Sequence, residues 1–421
     1  MSIMPKRTVL DNGARILHQR LPSNPFVAFY GCIWAGTASE KKRGVAEFTS
    51  RLLLSGTKKT KMTQLAESIE RLGATLDFRN GEEALHFFGR CPKATTGRVF
   101  GLLAECLSRP SFPASEVERV RGETLDEMRM DMDDTMRRAG KELMQCIYPG
   151  HLYGKDPRGE VGDVKRIERG DIVSFHEDRY GPRGMIVSLS GDVDDELVLN
   201  GIAPVIERLE GEGERPKLPR PGKAKVEKRV VPMPHKSQAD IAIGLPAIPR
   251  DHPDFYALGM VNLLFGRIGM YGRLGRDLRD EQGLAYYSFS TFEARRVGGH
   301  FVISAGVNPG NLLKAVGGIS TEIKKLHQKP LTDEEISDGK DNQVGSLKVM
   351  LERNAEMAGE LFRMEYFGLG LDYLKRYPDI VNGLATKQIH DAAKRYIRAE
   401  DCSVAIAGPV EKNLEKSLGW P

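Results

Sequence analysis

The chain has 421 residues, 40% of them hydrophobic and 29% charged, which predicts a globular protein with more than one hydrophobic core. Sixty-two basic and fifty-eight acidic residues leave a formal charge of +4, and no basic run carries interleaved aromatics, so nucleic acid is not an expected partner. No apolar stretch reaches the ~18 residues that span a bilayer, and Met1 to Gly13 lacks the apolar core of a signal peptide, so no membrane insertion and a cytoplasmic location are expected.

In chain order, Thr8 to Leu21 alternates around Asn12-Gly13, a hairpin signal. Phe26 to Ala35 has the length and composition of a strand. Gly44 to Leu54 and Thr63 to Leu72 carry helical spacing, and Ala84 to Cys91 reads as a strand. Thr95 to Leu107 and Ala114 to Met136 predict helices, the second long and highly charged. Leu209 to His235, rich in Pro, Gly and charge, predicts a linker between an N-terminal half, 1–208, and a C-terminal half, 236–421. Beyond it, Ala239 to Leu245 and His300 to Val307 predict strands, and Asp254 to Phe265 and Asn311 to His327 predict helices. Strands and helices without regular βαβ alternation predict an α+β fold. The five cysteines match no zinc or redox spacing and read as buried thiols, and the histidines show no ligand spacing.

The two halves read as repeats. Val164 to Val193 and Val381 to Val410 each place a helix ending in Arg-Tyr before a short apolar strand closed by Gly. Ile172 aligns with Ile389, Tyr180 with Tyr396 and Gly191 with Gly408, at offsets of 217, 216 and 217 residues, so the pattern is a duplicated domain.

The segment Gly36 to Thr57, GTASEKKRGVAEFTSRLLLSGT, resembles the zinc-helix region of pitrilysin/insulinase-type metallopeptidases, in the branch that includes mitochondrial processing peptidases. Gly36, Glu40, Gly44, Ala46, Phe48, Gly56 and Thr57 keep that family's frame. The HxxEH chemistry inside it is gone. Glu47 stands at the first histidine ligand, Ser50 at the water-activating glutamate and Arg51 at the second histidine. Zinc needs neutral imidazoles one helical turn apart, whereas arginine stays protonated and offers no lone pair. The family's third ligand is a glutamate on a later helix, and Glu127, in VERVRGETLDEMRM, falls in that slot. An ion-pair cluster of Glu47, Arg51 and Glu127 is therefore expected in place of a metal, with no metal bound by this chain.

A second resemblance is to the family's R-L-x-x-x-L-R-x-x-x-G-L-A-Y signature, within Leu263 to Phe292. It implies that Arg279 and Tyr286, seven residues apart, bind the peptide near its scissile carbonyl; both can donate to a carbonyl oxygen. Tyr287 is an adjacent candidate, and the spacing favours Tyr286. The glycine-rich stretch Gly266 to Gly275 is not followed by Gly-Lys-Ser/Thr, which argues against a nucleotide site. Tyr148 to Glu160, YPGHLYGKDPRGE, is also similar to a family segment, with His151 read as structural.

These resemblances cover most of the chain. They imply two homologous halves, each an antiparallel-rich sheet with packed helices, in a clam-shell. They also imply a noncatalytic, substrate-binding subunit of a heterodimeric zinc peptidase. A homologous partner would carry HxxEH and the zinc, and this chain alone would be inactive. The alternative they allow is a structural subunit like those of respiratory-complex cores, and less so a stand-alone metallopeptidase.

Overall fold

The computed structural model describes residues 3–22, 25–267, 272–411 and 413–420. Ile268 to Tyr271, within the glycine-rich stretch considered above, lie outside the described residues. The fold is α+β, with two sheets and helices on their faces.

The first sheet has six strands: β1 (Lys6–Val9), β2 (Arg15–Arg20), β3 (Phe26–Ile33), β4 (Thr75–Asn80), β5 (Leu85–Pro92) and β6 (Ile186–Gly191). Their spatial order is β1-β2-β6-β3-β5-β4, and β2 and β6 are the one parallel pair. The second sheet has five: β7 (Lys228–Pro232), β8 (Ala239–Ala247), β9 (Ala285–Ala294), β10 (Gly299–Val307) and β11 (Ser403–Gly408). Its order, β7-β11-β8-β10-β9 with β7 parallel to β11, repeats the first sheet without β1.

The repeat read from the sequence falls on corresponding elements. The Arg169–Arg179 helix leads to β6, and the Thr386–Tyr396 helix leads to β11. Both strands close on a glycine with positive φ, 122° at Gly191 and 156° at Gly408. Each also makes a close approach to the strand that follows in the sheet. A Cβ would lie 2.0 Å from the Phe26 oxygen in one case and 2.7 Å from the Ala239 Cα in the other. Only glycine fits either position.

The two compact units are discontinuous in sequence. One comprises 1–127, 156–218 and 346–376; the other comprises 128–155, 219–345 and 377–421. The contiguous halves 1–208 and 236–421 therefore differ from the compact units at two exchanged segments. The Asn354–Phe367 helix packs on β3 and β6 of the first sheet, with Phe362 4.8 Å from the Tyr30 ring. The Thr135–Ile147 helix packs on β8 and β11 of the second. A face covered this way explains why β3, FVAFYGCI, is almost wholly apolar: Phe29 and Ile33 face one core while Tyr30 and Cys32 face the exchanged helix.

Two further differences are local. The helix expected over Ala114 to Met136 ends at Asp133, and a second begins at Thr135. Asp134 has extended backbone, and its side chain accepts the Arg137 N–H, which makes it an N-cap. The expected linker Leu209 to His235 contains β7, whose pairing with β11 supplies the order that composition hides. All five cysteines are buried and free, and burial pushes the Cys32 and Cys106 thiols up to about 12.

Candidate functional site

The Val45–Leu52 helix carries the altered zinc frame. Its apolar side chains Val45, Phe48 and Leu52 are buried, so Glu47 and Arg51, one turn apart, share the remaining face. Arg51 Nε donates to Glu47 Oε1 at 2.7 Å. Its two terminal nitrogens donate to both oxygens of Glu127, at 2.9 and 2.6 Å. This is a bidentate fork across 76 residues of sequence. Burial works against the charge on Arg51, but the hydrogen bonds to Glu127 and Glu47 outweigh it and hold the guanidinium above its ordinary range.

Ser50 is buried and donates its hydroxyl to the Glu47 backbone oxygen at 2.8 Å. It is thus occupied inside its own helix. Arg158, which the sequence did not single out, lies 3.9 Å from Glu127 and is forked onto Asp156. Glu40 accepts the Ala46 N–H at 3.2 Å, at the start of the same helix. Its burial raises its pKa to about 7, against the lowering effect of the Ala46 and Gly44 N–H groups.

The residues present do not fit a zinc ion. A guanidinium occupies the ligand face, and it engages Glu47 and both oxygens of Glu127, the carboxylates on either side of it. Among the described residues no group of three or more His, Cys, Asp and Glu side chains is disposed to hold a metal. What the cluster does leave is an open cavity of ≈ 260 Å³, lined by Ser50, Arg51, Asp77, Phe78, Arg119 and Glu123 among others. Asp77 and Phe78 belong to β4, an edge strand of its sheet, and a second, more apolar cavity of ≈ 330 Å³ touches Thr75 and Leu76 of the same strand.

The Arg/Tyr pair lies in the other unit. Arg279 is exposed on a π-helical turn, Arg276–Glu281, and Tyr286 is 61% exposed on β9, the edge strand of the second sheet. Lys325 at 3.5 Å from Asp277 ties that turn to the Leu312–Gln328 helix. Neighbouring Tyr287 is turned inward and donates its hydroxyl to buried Asp240. Burial, then the Asp240 carboxylate, hold the Tyr287 phenol well above its usual range, so it remains a donor. His151 is buried, accepts the Tyr153 N–H and lies 3.1 Å from the Pro219 oxygen.

Two repeated units, one bearing an emptied ligand frame and the other an exposed Arg/Tyr pair, define a peptidase-like protein of duplicated α+β architecture. Residues 15–151 match the family described as Insulinase (Peptidase family M16), and residues 166–343 match the Peptidase M16 inactive domain; the chain belongs to the M16 peptidase family. It is 25% identical over 370 residues to an uncharacterized zinc protease of Streptomyces coelicolor, covering 86% of this chain and 80% of that protein. It is 24% identical to the Mitochondrial-processing peptidase subunit beta of Bos taurus, covering 96% and 84%. Among solved structures, a peptidase M16 inactive domain from Pseudomonas fluorescens shares the fold with a TM-score of 0.89, at 23% identity over 97% of this chain and 98% of that one. A protease from Helicobacter pylori gives 0.87, at 22% identity over 96% and 100%. No helix among the described residues is long and apolar enough to cross a membrane.

Proposed function

We propose that this chain is the noncatalytic, substrate-binding subunit of a two-chain zinc peptidase. A homologous partner supplies HxxEH and the zinc, and this chain contributes Arg279 and Tyr286 to the bound peptide. The observation that carries the reading is the contrast between the two units. Arg51 is locked onto Glu47 and Glu127, where it can neither bind metal nor activate water. The side chains of Arg279 and Tyr286 make no hydrogen bond or ion pair with another described residue and stand exposed in a strand–helix edge region.

In this reading the guanidinium and the phenol donate to peptide carbonyl oxygens, and they help most where negative charge develops. Water activation and proton transfer belong to the partner.

The test is to capture the HxxEH-bearing homologue with the tagged chain, purify both, and follow cleavage of a fluorogenic peptide. Neither chain alone is expected to cleave it, and the pair is. Arg279→Ala or Tyr286→Phe is expected to lower kcat/KM by about 100-fold, the size of one lost donor at a developing oxyanion. Undiminished cleavage with both variants excludes the role. Recovery of the chain only with a membrane complex, and with no HxxEH homologue, favours the scaffold role instead.

A further inference from the structure

We infer that Asp240 is a positioning residue: through Tyr287 it fixes the β-bulge that presents Tyr286. The inference rests on the reading of Tyr286 as a substrate-contacting residue. Along β9 and β10, Gly306 pairs with Tyr287 but Val307 pairs with Ala285, so Tyr286 is the extra residue and has no partner on β10. A bulge of this kind breaks the in–out alternation of a strand and re-aims one side chain. Ala285 and Ser288 on either side are buried, whereas Tyr286 is 61% exposed.

A bulge needs something to hold its register, since the ladder is broken at that point. Tyr287 provides the fixed point. Its ring lies over Gly306, where a Cβ would come within 2.3 Å of it, so the glycine makes the seat. Its hydroxyl donates to Asp240 on β8, two strands away. Asp240 is 2% exposed, and its two oxygens also receive the Thr135 hydroxyl and the Gln238 amide, the latter at 3.0 and 3.1 Å. Thr135 is the first residue of the exchanged Thr135–Ile147 helix. One buried carboxylate therefore joins that helix, β8 and the strand bearing Tyr286. With its acceptor sites taken by three donors, it is a rigid anchor.

The test introduces 3-fluorotyrosine at position 286 alone, in the full chain, and records its ¹⁹F spectrum. Asp240→Asn replaces an acceptor by a group that must also donate, and Tyr287→Phe removes only the hydroxyl; the second guards against misfolding of the first. Both are expected to broaden or split a single wild-type resonance. In the reconstituted peptidase pair both are expected to lower kcat/KM by about tenfold, with no further loss in a Tyr286→Phe background. An unchanged ¹⁹F resonance in both folded variants overturns the inference. So does a tenfold loss that persists in the Tyr286→Phe background, because the anchor would then act elsewhere. A perturbed resonance together with full cleavage by Tyr286→Phe upholds the anchor and removes the substrate role of Tyr286, so the two readings fail separately.

Discussion

Replacing Arg51 by methionine keeps most of the aliphatic stem and removes the guanidinium. The loss has two parts. The pair with Glu47 is the more buried, with side-chain exposures of 26% and 15%, and a charge-assisted hydrogen bond there is worth about 1.5–3 kcal/mol. Glu127 is 43% exposed, so solvent screens the fork and its share is at most about 1 kcal/mol despite the bidentate geometry. The expected cost is about 2–3 kcal/mol, mostly from leaving Glu47 without its cation. Because the chain has two units, a single global unfolding midpoint would mix their responses. Hydrogen exchange of the Val45–Leu52 amides in the wild type, Arg51→Met, Glu127→Gln and the double variant reports the local value. The Glu127 coupling is expected to be the smaller part and to shrink in 1 M salt, where the screening length is about 3 Å. A loss below about 0.5 kcal/mol in Arg51→Met, or one that disappears entirely in the Glu127→Gln background, refutes this division.

Glu40 gives a pH dependence of defined sign. Its folded pKa of about 7 lies above the ordinary glutamate value of 4.5, so the folded protein keeps a proton that the unfolded chain releases. The Glu40 contribution to stability is fully present below pH 4.5 and is lost, by about 3 kcal/mol, as pH rises through about 7. Glu40→Gln is expected to abolish this fall, measured as amide protection of the same helix at pH 5 and 8; an unaltered slope rules Glu40 out as its source. The preserved frame also predicts that Glu47→His, Ser50→Glu and Arg51→His together restore a zinc site with Glu127 as third ligand. Metal analysis of the chelator-treated, reloaded protein should then give one equivalent, against none for the wild type. One equivalent in the wild type would refute the reading of the site.

The frame was legible in sequence because its glycines and apolar residues do structural work that survives the loss of chemistry. Gly44, Ala46 and Phe48 still build the helix, so the altered ligand positions could be counted off within it. The partnership of Arg51 with Glu127 followed from that register. Other features depend on contacts that local pattern does not encode. β4, TLDFRN, is too polar to read as a strand, and its place at a sheet edge is what permits that composition. The charged run through Asp133 hid the Asp134 cap and the start of the exchanged helix. The exchange of Asn354–Phe367 and Thr135–Ile147 between units leaves no local mark. The bulge at Tyr286 exists only in the pairing of β9 with β10. For the same reason Arg158 was missed: it approaches Glu127 from a segment whose sequence signal was structural.

The ion-pair cluster also bears on how the metal site could be regained. Arg51→His alone removes three hydrogen bonds and leaves Glu47 and Glu127 without the cation between them. Glu47→His alone leaves the Arg51 Nε without its acceptor and sets an imidazole beside a guanidinium. Ser50→Glu alone adds a carboxylate in place of a hydroxyl that is 4% exposed and bonded within its helix. Each single step toward HxxEH therefore costs stability before any ligand set is complete, because each breaks a hydrogen bond or ion pair of the cluster without supplying a metal to replace it. The guanidinium does the electrostatic work that a metal would do at this position, holding two glutamates together across the sheet-facing helix, without a metal's chemistry. That compensation explains how the helix and the cavity beside β4 keep their structure around a part-buried guanidinium flanked by two carboxylates.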